Sequence, residues 1–235
     1  MHICYAVIAD IVGSRDLPDR DRAQQIFLDV LARAGEGLDL LRGPYATVGD
    51  EFQAVARDLG TALTLTLRAQ LLLPDALSLR FGVGAGEIRE VGAGAAAVQD
   101  GSAWWLAREA IDSAHAAQDA GLDFVRTRVR LGADALDGAA RRTDDLRREH
   151  EQVANAMLTF RDQALQRMRD RPRRLMGRLL MGATQVEAAA AEGVTQSAVS
   201  ALARGTGAGL LAAQALFPAV AGDGGAGPRG TGDSR

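Results

Sequence analysis

The sequence predicts an α+β fold, a ferredoxin-like βαββαβ domain followed by an all-α helix-turn-helix domain, and three observations carry that reading. Short apolar runs of strand character alternate with helical stretches as far as about residue 133. Beyond that point every apolar repeat has helical spacing. Near the end, ATQVEAAAAEGVTQSAVSALARG, from Ala183, has the capping residues, small residues and central glycine of two helices joined by a tight turn.

Each element follows from local pattern. Residues 3 to 12 (ICYAVIADIV) are β-branched and apolar, as a buried strand is, and Pro18 stands where a helix can begin. Ile26, Phe27, Val30, Leu31 and Ala34 recur at helical spacing, predicting a helix from Arg22 to about Leu41. YATVGDEFQAV reads as two strands joined at Gly49-Asp50, where glycine tolerates positive φ. A helix over 59 to 73, a strand in LSLRFGVGAGEI, a helix from Ser102 to about Ala117 and a strand in FVRTRVRL complete the order βαββαβ, then αβ. In this arrangement the helices are expected to cover one face of the sheet. Domain boundaries fall at 1–133 for the sheet domain, 134–171 for a connecting helix and 172–217 for the helix-turn-helix, with a glycine-rich disordered tail over 218–235. The connecting helix carries Leu146, Val153, Met157, Phe160, Ala164 and Met168 on one stripe, which suits either packing within the chain or a dimerising seam, and Pro172 is expected to break it.

Composition narrows the function. The chain has 235 residues and a net charge of −3, so no overall positive field draws it to nucleic acid or an anionic membrane. One cysteine, Cys4, excludes a disulfide framework and fits a cytoplasmic location. No apolar run is long enough for a membrane span. His2, His115 and His150 lack ligand spacing, and of the adjacent Trp104 and Trp105 one is expected in the core.

Asp10 ends the first strand, Asp50 lies on the hairpin, and a ferredoxin-like sheet makes those strands neighbours. Two hard oxygen donors converging there suit Mg²⁺ or Mn²⁺ bridging to nucleotide phosphates, with Glu51 as a third. The turn Ile11, Val12, Gly13, Ser14 follows Asp10 and offers amides to an anion. IADIVGS, VGDEFQ and RFGVGAGEI, in that order, resemble the core of class III nucleotide cyclases and diguanylate cyclases. Together with the C-terminal helix-turn-helix they resemble bacterial SatD family proteins. That resemblance implies metal ligation by Asp10 and Asp50, phosphate contact by Ile11 to Ser14, and a transition-state role for Arg108. It also implies groups that are absent here. Ala46 replaces the purine-reading lysine, Trp104 the ribose-positioning asparagine, and Ala97 stands about where a second purine-reading carboxylate is expected. Fixed donors of this kind dominate catalysis, so the domain reads as a binder of nucleotide or metal more than as a Mg²⁺-dependent nucleotide-processing enzyme, the alternative.

The DNA reading rests on residues alone. Thr184 with Glu187 forms a capping-box pattern, Ala189 is small at the crossing, Gly193 allows the turn and Val199 faces the core. The second helix, about Gln196 to Arg204, then presents Gln196, Ser197 and Ser200 to base edges. From Arg161 to Arg178 seven arginines face two aspartates, and Arg173, Arg174 and Arg204 are candidate phosphate contacts. The expected protein is a DNA-binding transcription regulator with a nucleotide ligand and a homodimeric form as further expectations.

Overall fold

The computed structural model describes residues 3–47, 49–91, 98–133 and 140–217. Ala97 and the tail over 218–235 lie outside the described residues. The architecture is mixed α+β. β1 (Cys4–Ile11), β2 (Leu40–Ala46), β3 (Glu51–Ala56) and β4 (Leu79–Gly86) join β7 (Thr127–Leu131) in one five-stranded sheet of order β2-β3-β1-β4-β7. All neighbours are antiparallel except β4 and β7, which are parallel. β5 (Arg89–Val91) and β6 (Val98–Asp100) form a separate two-stranded ribbon that the sequence reading did not foresee.

The first helix is shorter than expected. α1 (Arg20–Ala34) starts behind Asp19, whose carboxylate accepts from the Arg22 amide, and stops at Gly35. Gly37, with φ +68°, then turns the chain, so Leu40 and Leu41 belong to β2 and not to a helix end. Two glycines within three residues remove the helical preference that the apolar spacing suggested.

Strand alternation sorts the core. Val7, Ala9 and Ile11 of β1, Phe52 of β3, and Phe81 and Val83 of β4 face α1 and α2 (Leu59–Leu72), where Phe27 and Phe52 approach to 6.1 Å. Arg68, inside apolar α2, donates to the Glu36 carbonyl at 2.9 Å and so ties the two helices' ends together. The expectation of helices on one face fails because α3 (Ser102–Asp119) covers the other. Gly82, Gly84 and Gly86 leave that face of β4 bare. A Cβ on Gly82 would stand 2.1 Å from the Ala107 carbonyl oxygen, and one on Gly84 2.1 Å from that of Ala103. Trp104 is buried there with Ala6, Ile8, Val55 and Ile111, whereas Trp105 is exposed, so one tryptophan is core and the other is not.

α4 (Ala140–Gln166) lies along β7, which among the described residues has no strand beyond it. Its polar side chains supply the bonds that a further strand would supply. Asp162 accepts from the amides of Arg126 (2.8 Å) and Thr127 (2.7 Å). Asn155 accepts from Val129 N at 2.9 Å and donates to its carbonyl at 3.0 Å, and Glu151 accepts from Leu131 N at 2.9 Å. Arg147 closes the series on the Leu131 carbonyl at 2.8 Å. The apolar stripe read from sequence is therefore only partly packed, with Met157 against the sheet core and Met168 buried beside α2. Leu158 and Leu165 are buried beside the bonded residues, while Leu146, Val153 and Phe160 are exposed.

Pro172 is not the break. α4 ends at Gln166, three residues intervene, and Pro172 sits in the first turn of α5 (Asp170–Leu180), where a missing N–H leaves no helical bond unmade. α6 (Gln185–Glu192) opens on Thr184 with both capping-box bonds present, and Gly193, at φ +63°, ends it. α7 (Gln196–Arg204) is capped by Thr195, and α8 (Ala208–Gln214) follows. Leu175, Ala188, Ala189 and Val199 form the small core of α5, α6 and α7. A second cluster, Leu67 and Leu71 of α2 with Leu165, Met168, Met176 and Leu210, joins these helices to the sheet layer. Among the described residues no helix is long and apolar enough to cross a membrane.

Candidate functional site

Register places three charged residues in one row. Glu51 of β3 pairs with Asp10 of β1, and Asp10 pairs with Arg80 of β4. All three share the parity of Ile8 and Gly82, so they lie on the α3 side, just beyond the stretch that α3 covers most tightly. Arg80 is nearly enclosed, its side chain 8% exposed, and its Nε approaches Asp10 Oδ1 at 3.3 Å. This approach lacks hydrogen-bond geometry, and Asp10 Oδ1, Arg80 Nε and Arg80 Nη1 have no hydrogen-bond partner. Buried polar atoms left so are costly unless a ligand or water meets them.

Burial pushes the Asp10 carboxyl above its usual range, and Asp50 pushes it further, against the pull of Arg80, His115 and Arg108. Asp10 and Asp50 are thus close enough to feel each other's charge. Glu51 is already engaged. It pairs with Arg108 from α3 and accepts from Gln53 Nε2 at 2.9 Å. Among the described residues no three carboxylate, histidine or cysteine groups gather as a metal cage. The donors that remain, Asp10 and Asp50, suit Mg²⁺ or Mn²⁺ in the form where one or two carboxylates hold the ion and water or phosphate oxygens complete its shell. Glu51 drops out of that set because its charge is taken by Arg108.

The turn after Asp10 is also partly committed. Val12 donates its amide to Ser78 at 3.0 Å, and Ile11 lies within the β1–β4 ladder. Gly13, at φ +67°, and Ser14 follow in the turn and are not part of those bonds. Arg80 was missed by sequence reasoning, although pairing RFGVGAGEI against the first strand puts it opposite Asp10.

The second candidate surface is α7. Gln196, Ser197 and Arg204 are exposed, Ser200 is half-buried, and Val199 is wholly buried against α5 and α6. The arginine run divides by environment. Arg161 is enclosed and bonds Thr127 Oγ1 at 2.6 Å and Asp162 at 3.3 Å, so this member cannot reach a phosphate. Arg173 is half-buried, holding Asp75 at 3.2 Å and the Gln70 carbonyl. Arg174 and Arg178 both grip Glu192, at 2.9 and 3.1 Å, and tie α5 to α6. Arg167, Arg169 and Arg171 are exposed.

Residues 4–168 match the SatD family, and the match ends two residues past α4. A comparison with curated proteins finds no match.

Proposed function

The chain belongs to the SatD family, and on that premise we propose that it is a DNA-binding transcription regulator whose sheet domain binds a nucleotide or a divalent cation. The observation that carries the DNA reading is the exposed start of α7. Two capped helices joined at a left-handed glycine meet over Val199 and leave Gln196 and Ser197 facing solvent, the arrangement in which a recognition helix enters a major groove. Gln196 is placed to pair with adenine, Ser197 and Ser200 to contact base edges, and Arg204 with Arg167, Arg169 and Arg171 to contact phosphates. Arg173 and Arg174 serve this reading indirectly, by fixing α5 against α2 and α6. Leu146, Val153 and Phe160, seven residues apart on α4, suit pairing of two protomers on a two-fold site.

For the sheet domain the order β2-β3-β1-β4 with antiparallel neighbours supports the ferredoxin-like, cyclase-like reading. The orphaned atoms of Asp10 and Arg80 favour a ligand there that brings a cation to the carboxylates and an anion to the guanidinium. A Mg²⁺- or Mn²⁺-bound phosphate has both. Trp104 lies in the core and Ala46 bears no donor, so no group positions a ribose or reads a purine at those places, and binding is favoured over turnover.

The test is binding of the full chain to a pool of random duplex DNA at several salt concentrations. We expect binding that falls steeply with salt and a sequence preference that Gln196→Ala alters. Arg171→Ala should weaken binding to all sequences alike. No binding at low salt removes the DNA reading.

A further inference from the structure

The joint between α4 and α5 walls a cavity of about 450 Å³ that shares only Arg167 and Arg169 with the proposed DNA surface. Its walls come from two parts of the chain. The end of α2, the loop before β4, and Phe124 with Arg126 form one side, while Leu165 to Asp170 and Arg173 form the other. The volume is that of pockets that take small organic ligands. The apolar lining, Leu73, Leu77, Leu79, Phe124, Leu165 and Met168, suits a hydrocarbon or aromatic body.

The charges are arranged differently from those of the Asp10 row. Arg126 and Arg173 line the cavity from opposite sides, with Arg167 and Arg169 also on its lining. Three aspartates line it too: Asp162 is turned inward onto the amides of Arg126 and Thr127, Asp75 pairs with Arg173, and Asp170, exposed at the start of α5, partly offsets the Arg173 charge. Arg173 Nε is buried with no hydrogen-bond partner. Burial first, and then the nearby Arg80 and Arg173, hold the Arg126 guanidinium below its usual range, although Asp162 and Asp123 oppose them. An anion between these two half-buried guanidiniums meets the unpartnered Arg173 Nε and adds charge-assisted hydrogen bonds.

We propose that this cavity is an effector site for a small organic anion, a phosphate or carboxylate on an apolar or aromatic body, held by Arg126 and Arg173. Its occupant also draws in Arg167 and Arg169. On the DNA reading above, on which this half of the inference rests, those two arginines contact phosphates, so the anion weakens DNA binding.

The experiment uses the full chain and three probes: inorganic phosphate, adenosine monophosphate and salicylate, each against chloride at equal ionic strength. Thermal melting without DNA reads the site. We expect adenosine monophosphate or salicylate to raise the Tm more than inorganic phosphate, and the rise to vanish in Arg126→Gln and Arg173→Gln while persisting in Asp10→Asn. Should either arginine variant fail to fold, hydrogen exchange of the wild type with the bound probe takes its place, with protection expected over residues 162–173. No stabilisation by any probe, stabilisation lost in Asp10→Asn alone, or protection confined to the Asp10 row would overturn the site. DNA affinity at saturating probe reads the coupling, with a fall of about five-fold or more expected. Unchanged DNA affinity overturns the coupling, and it is distinct from an absence of DNA binding without probe, which removes the DNA reading itself.

Discussion

The sheet region and the C-terminal helices solve the same problem by opposite means. Along β7, charged and polar side chains are taken inside and given partners: Asp162 and Arg161 sit together on the buried side of α4, and Asn155 and Glu151 complete the outer edge of β7. The helices α5 to α7 enclose four small or medium apolar residues and leave their backbone ends to local caps. The difference teaches where each region can tolerate change. An edge strand sealed by side chains depends on single buried atoms, because an orphaned amide or charge is expensive. A small helical core with caps distributes its stability over many modest terms and leaves its outer faces available for contact.

Four substitutions sharpen that contrast, in falling order of effect. Asp162→Ala leaves Arg161 enclosed without its counter-charge and the Arg126 and Thr127 amides at the start of β7 without acceptors, for a loss of about 3–5 kcal/mol in chemical denaturation. If the loss stays under about 1 kcal/mol, the polar seal of β7 is not what holds α4. Gly84→Val drives a side chain into the α3 backbone, and a loss of about 1–3 kcal/mol or more is expected, with Trp104 fluorescence reporting the displaced helix. Thr184→Ala removes one capping-box partner, an effect of about 1 kcal/mol. A change equal to that of Asp162→Ala would show that the helical region is as brittle as the sheet.

The smallest effect is one of pH. Burial raises the Asp10 pKa on folding, so the folded chain holds a proton there that the unfolded chain has released. The stability from this group is present below the unfolded carboxylate pKa and is lost as pH rises through the folded value. Asp10→Asn should therefore melt less pH-dependently through and just above the carboxylate range, and no lower than the wild type at neutral pH without metal. Mg²⁺ or Mn²⁺ should raise the Tm of the wild type only. A steeper pH dependence in Asp10→Asn contradicts the assignment.

Much of this was legible in the sequence. The five strands of the main sheet, the hairpin at Gly49-Asp50, α2, α3 and both helices around Gly193 follow from period, caps and glycine, since those signals act within a few residues of chain, whereas β5 and β6 do not. The nearness of Asp10 to Asp50 was legible as well, because Asp50 stands on the turn into β3 and β3 lies beside β1. Arg80 was not, since its meaning depends on lying across from Asp10, seventy residues away. The arginine run misled for a related reason. Seven like charges in eighteen residues look like one surface, yet burial of Arg161 and pairing of Arg173, Arg174 and Arg178 divide them.

By itself the sequence determined the order of the main-sheet strands and their helices and the mixed α+β class, because hydrophobic period, helix caps and turn glycines are local instructions. Tertiary structure alone decided which face each helix covers, which side of α4 is packed and which arginines stay free. Those choices turn on pairing energies between residues far apart in the chain: bare glycines that admit α3, open β7 amides that draw in Asp162 and Asn155, and a buried Asp162 that takes Arg161 out of reach of any phosphate.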